Sequence, residues 1–462
     1  MSSQVPRRHE ALAETLEKYL ERGAQANVSR LLGRIRPEDV AVLLGGLGSD
    51  HRLTVFRILI TEFPDAAGEV LTEMEPAQRL ALLEQLAPEQ IAGILERIPV
   101  DDAVFVLGSL PAELQEPLLE LVDLRDLVDV RTQLAYPESS AGRLMDTEFF
   151  ALPESVTVRE AIATIQEKPD VEMIFYLYVV DRDGHLVGVT SLRQLLLSKP
   201  EQALSAIMQR ELIKANVATD QEEVARQAAR YDLLAVPVVD DQNRLAGIVT
   251  VDDIIDVVKE EAAEDLLKMV GSSESEMLYA ERTFSAARLR LPSLLISLAG
   301  LLLAGFLLER FQVSLPDSLF LLAFVPAIMG LSGSIGSQAS AVVLRGLSSG
   351  KLLSGEPGAS VTAFLARQLK VAAVLGATCG GLAGLAAVAL ERQIALGGVV
   401  GGAVFLAMVL AAVSGVLVPA TLKRLGFDPA IANGPLLSTA NDVTGILIYF
   451  GLAVAWVHRL VP

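Results

Sequence analysis

The chain has 462 residues, of which 52% are hydrophobic, and its formal net charge is −19. The charge is uneven: residues 281–462 hold 12 Lys/Arg against 7 Asp/Glu, so the excess of carboxylates lies in residues 1–280. A head this acidic excludes nucleic acid as a partner, because phosphate binding needs clustered Lys and Arg. The single cysteine, Cys379, excludes a disulfide framework and a cysteine-based zinc site. The first twenty residues lack the apolar core of a cleaved signal peptide.

Residues 1–135 have the pattern of an all-helical domain. Leu-rich stretches recur behind Pro76, Pro88, Pro99 and Pro111, and an acidic or amide residue follows each of these prolines closely. Proline and acidic residues favour the first turn of a helix, where backbone N–H groups lack partners. Short helices bury too little surface alone, so the pattern predicts a superhelix of stacked helical turns. An irregular helical bundle is the alternative.

The stretch after residue 137 contains an internal duplication. Each copy has a β-rich run, an acidic turn, a second β-rich run and a short helix, over residues 177–197 and 235–258. A helix with a Thr or Asp cap precedes each copy, at Thr157 and Asp220. This order resembles tandem CBS domains, which implies an α/β regulatory pair that binds adenine nucleotides or ions. The two domains would cover residues 138–202 and 203–262.

The CBS family contacts nucleotides through the pattern G-h-h-[ST]-x-x-D, which the second copy matches with Gly247, Thr250 and Asp253. A carboxylate at the last position accepts two hydroxyl hydrogen bonds from a ribose, which Gln194 in the first copy does less well. The resemblance therefore implies an adenine-nucleotide site in the second copy, with ATP as the candidate ligand and Asp220 as a further contact. Residues 181–184 are interpreted as a turn, since the other ligands of a calcium loop are missing.

A run of carboxylates follows the second copy. Steps of three and four residues return to the same helix face, so these side chains form one strip of like charge. Such a strip repels itself unless cations neutralise it; a solvated acidic face is the alternative. The strip consists of Asp253, Asp256, Glu260, Glu261, Glu264 and Asp265. Residues 266–290 are predicted to form one amphipathic helix, so that residues 263–288 connect the head to the membrane.

Residues 289–462 form the predicted membrane domain, which is all-α with five spans. The whole chain is therefore predicted to be a multi-domain membrane protein. Lys and Arg flank alternate loops, at 288–290, 345–370 and 423–424. The positive-inside rule places the acidic head in the cytoplasm and the C-terminus outside. The spans are approximately 291–308, 319–344, 371–390, 394–422 and 430–457.

The second span is too polar to be a plain anchor. Pro326 leaves a backbone carbonyl free, and glycines at steps of three permit close backbone approach. The free carbonyls, hydroxyls and amide of this segment form an oxygen-rich surface suited to a hydrated cation. Small-residue helix packing is the alternative. The candidate residues are Pro326, Gly333, Ser334, Gly336 and Gln338.

In the fifth span, Asp442 is the one charge well inside a membrane segment. A carboxylate at that depth costs about 2.5–3.5 kcal/mol on insertion scales, so it should face water or a cation. Asn433 and Asn441 are further candidates for binding an ion in the same segment. Asp428, at the cytoplasmic edge, is interpreted as a helix cap, with a place in a vestibule as the alternative.

These segments, and the order of the domains, resemble the MgtE family of magnesium transporters. The matching pieces are P-x-x-x-G-x-x-G-x-x-G-x-Q with R-G-L in the second span, and D-P-A, P-L and T-x-x-D-V-T-G-x-L-I-Y in the fifth. TDQEEVAR, GIVTVDDIIDV and AAEDL in the soluble part also look like that family. One departure is Ser334, where the family commonly has asparagine. Serine keeps an oxygen ligand with less reach, so we expect selectivity or rate to differ.

The resemblance implies a homodimer in the cytoplasmic membrane, with a pore on the two-fold axis lined by the second and fifth spans. Asp442 of both subunits would hold hydrated Mg²⁺. Cytoplasmic Mg²⁺ would also neutralise the acidic strip against Asp101 and Asp102 and so close the pore. The alternatives are a non-conducting Mg²⁺ or nucleotide sensor and a transporter of Co²⁺ or Mn²⁺. An enzyme is not expected, since the sequence has no nucleophile–base pair.

Overall fold

The computed structural model describes residues 5–122, 127–167, 175–269, 272, 283–314, 319–348 and 360–460. The chain divides into two compact units, Met1–Glu261 and Ala262–Pro462. The first unit contains the predicted helical region and the duplicated α/β region. The second contains the apolar helices.

The N-terminal part of the first unit is helical, as predicted. Helices begin at or directly after the repeating prolines: Pro76 and Pro88 are first residues, while Pro99 and Pro111 are N-caps. Proline suits these places because its missing N–H would have no partner there. Helices α1 to α10 are Val5–Glu21, Gln25–Leu32, Pro37–Gly46, Ser49–Glu62, Pro64–Thr72, Pro76–Leu83, Pro88–Leu95, Val100–Gly108, Ala112–Leu121 and Leu127–Leu134.

These helices pack mostly against their second neighbours along the chain. Contacts join α3 to α5, α5 to α7 and α7 to α9, and likewise α2 to α4 and α4 to α6. Phe56, Leu71, Leu95 and Leu107 lie fully buried between them. A short helix with one apolar face is stabilised in this way only by its neighbours, which is the packing of a superhelix.

The duplicated region forms two small sheets of the same topology. In each, the first strand is parallel to the second and the second is antiparallel to the third. The strands are β1 Ala151–Pro153, β2 Tyr176–Val180, β3 Leu186–Ser191, β4 Ala215–Asn216, β5 Ala235–Val239 and β6 Leu245–Thr250. The helices are α11 Ala141–Leu144, α12 Val158–Glu167, α13 Leu192–Leu197, α14 Leu204–Ile207, α15 Gln221–Tyr231 and α16 Val251–Met269.

Each copy has its own apolar core, and a further apolar cluster joins the two copies. Tyr178 and Leu186 of the first copy pack with Ala235, Val239 and Ile248 of the second. The register of both sheets also shifts at the corresponding place, after Val179 in β2 and after Val238 in β5. The predicted α/β pair is confirmed by this repeated topology.

Helix α16 is longer than the sequence interpretation had it. The second copy was predicted to end in a helix at Val258 and a separate connecting helix to begin at Leu266, with the acidic strip on a helix face between them, whereas α16 runs unbroken from Val251 to Met269. No Gly or Pro interrupts these residues, so nothing stops the helix. The rest of the predicted connecting helix, at 270–271 and 273–282, lies outside the described residues.

Five helices in the described part of the chain are long and apolar enough to cross a membrane, as predicted. The third begins at Val361, ten residues before the predicted span. The prediction began after Arg367 and Lys370 because it followed the apolar run, whereas the helix includes both charged residues. A 3-10 helix, Pro429–Asn433, precedes the last one. These helices are α17 Thr283–Ser314, α18 Val325–Ser348, α19 Val361–Glu391, α20 Ile394–Arg424 and α21 Pro435–Leu460.

Helix α20 contacts α18, α19 and α21 and is the most buried span. It meets α19 through glycines on both helices. A Cβ added at Gly380 would lie 2.5 Å from the carbonyl oxygen of Gly401, and one at Gly384 would lie 2.6 Å from that of Gly397. The backbones therefore touch, as small residues permit between membrane helices.

Replacing Gly380 by Val should push α19 away from α20. We expect a loss of about 1–3 kcal/mol of stability from this overpacking. The measurement is thermal unfolding of the purified protein in detergent. Gly381→Val is the matched control, since no described atom outside its own stretch of helix lies within 4 Å of a Cβ added at Gly381. Equal destabilisation by both substitutions would contradict the close backbone contact.

Candidate functional site

One face of α18 carries exposed small and polar residues. Pro326, Gly330, Ser334 and Gln338 are all exposed and follow one another at steps of four. This spacing places them along one side of the helix. The hydroxyl of Ser334 donates to the carbonyl oxygen of Gly330 at 2.7 Å, so its proton is used by its own helix. The oxygen of Ser334 can still accept hydrogen bonds.

Asp442 lies on α21 beside the glycine-rich part of α18. A Cβ added at Gly333 would be 3.6 Å from Oδ1 of Asp442 and 3.2 Å from the hydroxyl oxygen of Ser438. Asp442 is partly buried, and Ser438 lies one turn before it on α21. The two predicted residues Gly333 and Asp442 are thus neighbours. The Cβ position at Gly333 is at ordinary van der Waals distance from the carboxylate and is tighter against the hydroxyl of Ser438.

Asn441 and Gly336 lie away from this exposed face. Asn441 is only 4% exposed, and the hydroxyl of Ser414 on α20 donates to its Oδ1 at 2.6 Å. A Cβ added at Gly336 would lie 2.1 Å from Nδ2 of Asn441. Sequence reasoning missed Ser414, whose signal was a hydroxyl within the apolar run AAVSGV.

Asp428 caps the 3-10 helix that precedes α21. Its Oδ1 accepts a hydrogen bond from the backbone N–H of Ala430 at 2.8 Å, so the interpretation as a helix cap is confirmed. The other carboxylate oxygen accepts from the ammonium group of Lys268. Asn433 ends the same 3-10 helix, but its side chain lies outside what the structure describes.

Lys268, near the end of α16, binds two carboxylates. Its Nζ lies 2.7 Å from Oε1 of Glu264 one turn earlier and also contacts Asp428. Partial burial disfavours the charged ammonium, yet the hydrogen bonds to Asp428 and Glu264 raise the pKa of Lys268 overall. Sequence reasoning missed the contact with Asp428, because that residue is far from Lys268 in the chain.

In the first unit, carboxylates of the helical part and of α16 lie close together. Burial, and then the charges of Asp146, Asp102 and Asp253, raise the pKa of Asp101 to about 8. Burial also raises the pKa of Asp253 to about 6, against the hydrogen bond from Thr250. Of the predicted set, Asp101, Asp102 and Asp253 therefore lie near one another. Asp146, which sequence reasoning missed, lies among them.

Other members of the acidic strip on α16 have partners of their own. Asp256 pairs with Lys259 at 2.6 Å. The pKa of Glu73 is raised first by its own burial and then by the charge of Asp256. Burial lowers the pKa of Arg79 to about 10, and the negative charge of Glu260 opposes this lowering. The strip thus faces both acidic and basic groups of the helical part.

Two further strip residues are also accounted for. Glu261 accepts a hydrogen bond from the side-chain amide of Gln221 at 2.8 Å. Asp265 is partly buried and follows Glu264 on α16. The strip is therefore not a uniformly solvated face, because partners from other elements meet it at several points.

The carboxylates around Asp101 are ligands of the kind that divalent cations bind, but among the described residues only Asp181, Asp183 and His185 bring three ligand atoms within 4.8 Å of one another. Oδ1 of Asp101 is buried and has no hydrogen-bond partner among the described residues. An oxygen of this kind is costly to bury unless a proton or a cation satisfies it. Carboxylate oxygens are the ligands that Mg²⁺ prefers in proteins.

Three of the predicted nucleotide residues, Gly247, Thr250 and Asp253, lie in β6 or directly after it. The hydroxyl of Thr250 donates to Oδ2 of Asp253 at 2.5 Å. Asp220 caps α15, with its Oδ1 accepting from the N–H of Glu222. Gly247 is packed closely, since an added Cβ would lie 2.7 Å from the carbonyl oxygen of Asp146. The glycine therefore has a packing role in the fold.

The acidic turn of the first copy is a turn stabilised by its own carboxylate. Oδ1 of Asp181 accepts from the N–H groups of Asp183 and His185, both at 2.9 Å. The ligand atoms of these three residues lie within 4.8 Å of one another. The hydrogen bonds within the turn account for this closeness.

The chain matches known families along most of its length. Residues 325–452 match a family described as a divalent cation transporter, MgtE. Residues 35–139 match the MgtE intracellular N domain, and residues 141–200 and 204–260 match the CBS domain.

Two full-length relatives are similar over nearly the whole chain. The magnesium transporter MgtE of Bacillus subtilis is 34% identical over 431 residues, covering 93% of this chain and 94% of that protein. The magnesium transporter MgtE of Thermus thermophilus is 35% identical over 453 residues, covering 96% of this chain and 98% of that protein.

Two solved structures resemble the soluble part. The cytosolic domain of the Mg²⁺ channel MgtE in complex with ATP is 38% identical, with a TM-score of 0.49, covering 53% of this chain and 99% of that one. The soluble part of a magnesium transporter is 31% identical, with a TM-score of 0.49, covering 55% and 99%.

Without divalent cations, stability of the first unit should fall as pH rises. The pKa of Asp101 is raised on folding from 3.8 to about 8, so the folded state disfavours its ionised form. This cost is absent below about pH 4 and grows up to about pH 8, by at most about 1.4 kcal/mol per pH unit for each proton released. The measurement is thermal unfolding of the full chain in EDTA between pH 5 and 9.

Asp101→Asn should remove most of this pH dependence and raise stability at pH 8, as added Mg²⁺ should in the unsubstituted protein. Glu113→Gln, at an exposed carboxylate of α9, is the control and should leave the slope unchanged. An unaltered slope in Asp101→Asn would show that the cluster does not carry the effect.

Proposed function

Since the chain belongs to the MgtE family of divalent cation transporters, we propose that it conducts Mg²⁺ across the cytoplasmic membrane as a homodimer. The observation that carries the proposal is the carboxylate of Asp442, beside Gly333 within the membrane helices. A charge there is stable only where water or a cation reaches it. The positive-inside distribution of Lys and Arg supports a cytoplasmic head and a C-terminus outside.

The exposed face of α18 suits a pore between two subunits. Ser334 and Gln338 lie on it, and polar side chains exposed to lipid would be unfavourable. Facing a second copy across a two-fold axis, they would instead contact water. Mg²⁺ gives up its waters reluctantly, so hydrated Mg²⁺ held by Asp442 of each subunit fits this arrangement.

The carboxylate cluster of the first unit is proposed as the Mg²⁺ sensor. Asp101, Asp102, Asp146 and Asp253 repel one another when ionised, which opposes the compact form of the head. Mg²⁺ bound to them would remove the repulsion and favour that form. A rise in cytoplasmic Mg²⁺ thereby closes the pore, and scarcity opens it.

The contact of Lys268 supports a mechanical link between α16 and the pore helix. Lys268 holds Glu264 of the acidic strip together with Asp428, which caps the 3-10 helix leading into α21. A movement of α16 would therefore be transmitted to the start of α21 through the ion pair of Lys268 with Asp428. Regulatory Mg²⁺ would act on the pore through this contact.

ATP is proposed as a second regulatory ligand, at the second CBS copy. Thr250, Asp253 and Asp220 offer the oxygens that a ribose would need. Asp253 also belongs to the carboxylate cluster, so one side chain would serve both ligands. The binding of ATP and of Mg²⁺ would then influence each other, as linkage requires.

A non-conducting sensor is the second candidate. Ser334 stands where the family commonly has asparagine, and its proton is bound by the carbonyl oxygen of Gly330 within its own helix. A transporter of Co²⁺ or Mn²⁺ is a further candidate for the same reason, since a changed ligand can change selectivity. Flux through the purified protein in liposomes distinguishes these candidates from one another.

Asp442→Asn should abolish Mg²⁺ flux into liposomes, because the neutral amide keeps the size of the side chain but not the charge that holds the cation. The measurement is uptake with a Mg²⁺-sensitive dye inside the vesicles. Glu391→Gln, an exposed carboxylate at the end of α19, is the control and should conduct normally. Normal flux in Asp442→Asn would refute the pore assignment. Flux absent even from the unsubstituted protein would favour the sensor.

Lys268→Met should leave Mg²⁺ flux intact at low internal Mg²⁺ but leave it incompletely closed at high internal Mg²⁺. The reason is that α16 loses its contact with Asp428. Lys259→Met is the matched control, since Lys259 pairs with Asp256 on the same helix. The measurement is residual flux at saturating internal Mg²⁺. Full closure in Lys268→Met, or equal leakage in both variants, would rule out this link.

A further inference from the structure

Two successive residues of α21 point in different directions. An α-helix turns by about 100° per residue, so Asn441 and Asp442 cannot face the same surface. Asn441 is 4% exposed and points between α18 and α20, while Asp442 is partly buried beside Gly333. The sequence placed both among the ion-binding candidates. The structure separates them by direction.

Asn441 is bound by a neighbouring helix. The hydroxyl of Ser414 on α20 donates to its Oδ1 at 2.6 Å. On α18, Gly336 leaves the space that the amide occupies, since a Cβ there would lie 2.1 Å from Nδ2. The carbonyl oxygen of Gly336 in turn packs against Gly415 of α20, where an added Cβ would lie 2.4 Å from it. The amide thus fills a gap among three helices.

We propose that Asn441 is a positioning residue for ion permeation: held by Ser414, it fixes the rotation of α21 and so keeps the carboxylate of Asp442 beside Gly333. This inference rests on the proposed role of Asp442 in the pore. A rotation of α21 would pull the carboxamide away from Ser414 and leave its Oδ1 without a partner in an apolar bundle, which is unfavourable. The hydroxyl of Ser414 would keep only the carbonyl oxygen of Ala411, 2.8 Å away in its own helix. The same rotation would turn Asp442 away from the exposed side.

A role as an ion ligand is the contrasting interpretation of Asn441. A ligand would matter through its own oxygen, whatever happens at Ser414. A positioning residue depends on its partner, so removing the hydroxyl of Ser414 should have the same effect as removing the amide. The two substitutions together should then cost no more than either one, which a double-mutant cycle measures.

The test uses Mg²⁺ flux of the full chain in liposomes, at several external Mg²⁺ concentrations. Ser414→Ala and Asn441→Ala should each raise the half-saturating concentration by about three- to twenty-fold, which corresponds to the loss of one hydrogen bond between membrane helices. The double variant should match the single ones. Ser414→Thr, which keeps the hydroxyl, should restore the normal value. A purely structural defect would reduce the amount of folded protein without changing half-saturation.

Ser340→Ala is the matched control. Ser340 is a buried hydroxyl on α18 without a hydrogen-bond partner among the described residues, so its loss should not change half-saturation. Gly336→Ala, which displaces the amide of Asn441, should reproduce the Ser414→Ala effect. If Asn441→Ala does not fold, Ser414→Ala and Ser414→Thr carry the test alone.

Several results would overturn the inference. An effect of Asn441→Ala with none of Ser414→Ala would make Asn441 an ion ligand, and additive effects would make the two residues independent. Normal half-saturation in both would remove any positioning role, while Asp442→Asn still abolishes flux and the pore assignment stands. If Asp442→Asn conducts normally, the proposed function fails and the inference fails with it.

Discussion

Asp442 places a carboxylate among membrane-spanning helices, and the arrangement around it follows from that. An uncompensated charge there costs about 2.5–3.5 kcal/mol or more, so its surroundings must supply space, polar neighbours and an approach for water. Gly333 lies against the carboxylate, and Ser438 supplies a hydroxyl one turn away. Close backbone contact elsewhere, as between Gly380 and Gly401, holds the bundle around this position. The small residues of the spans are therefore needed both for packing and for the charge.

The acidic part of the chain presents the same electrostatic problem outside the membrane. The pKa of Asp101 is raised to about 8 because burial and neighbouring carboxylates disfavour its charge. Its Oδ1 has no hydrogen-bond partner in the described part of the chain, so its ionised form is unfavourable unless a cation or water reaches it. Basic side chains meet the strip at other places, through Arg79 and Lys268. The net charge of −19 thus includes carboxylates whose ionisation the fold itself opposes.

Local signals in the sequence predicted the elements well, and contacts between elements poorly. Proline marked helix starts, the duplication indicated two sheets of one topology, and hydropathy indicated five spans, because each depends on neighbouring residues only. The contact of Ser414 with Asn441, the place of Asp146 and the pairing of Lys268 with Asp428 depend on how helices are rotated and packed. Hydrophobic periodicity indicates the buried side of a helix but not which neighbour lies there.

The glycine motif of α18 shows why spacing alone left two interpretations open. Glycines three residues apart are displaced by about 60° around a helix, so Gly330, Gly333 and Gly336 spread over about 120° and meet different surroundings. Among the described residues, nothing lies near Gly330, Gly333 borders Asp442, and Gly336 packs against Asn441 and α20. Gly336 therefore has the role of a small residue in helix packing, whereas Gly333 lies near the proposed ion path. The same motif serves both helix packing and the ion path, because α18 lies beside Asp442 and must also pack against α20.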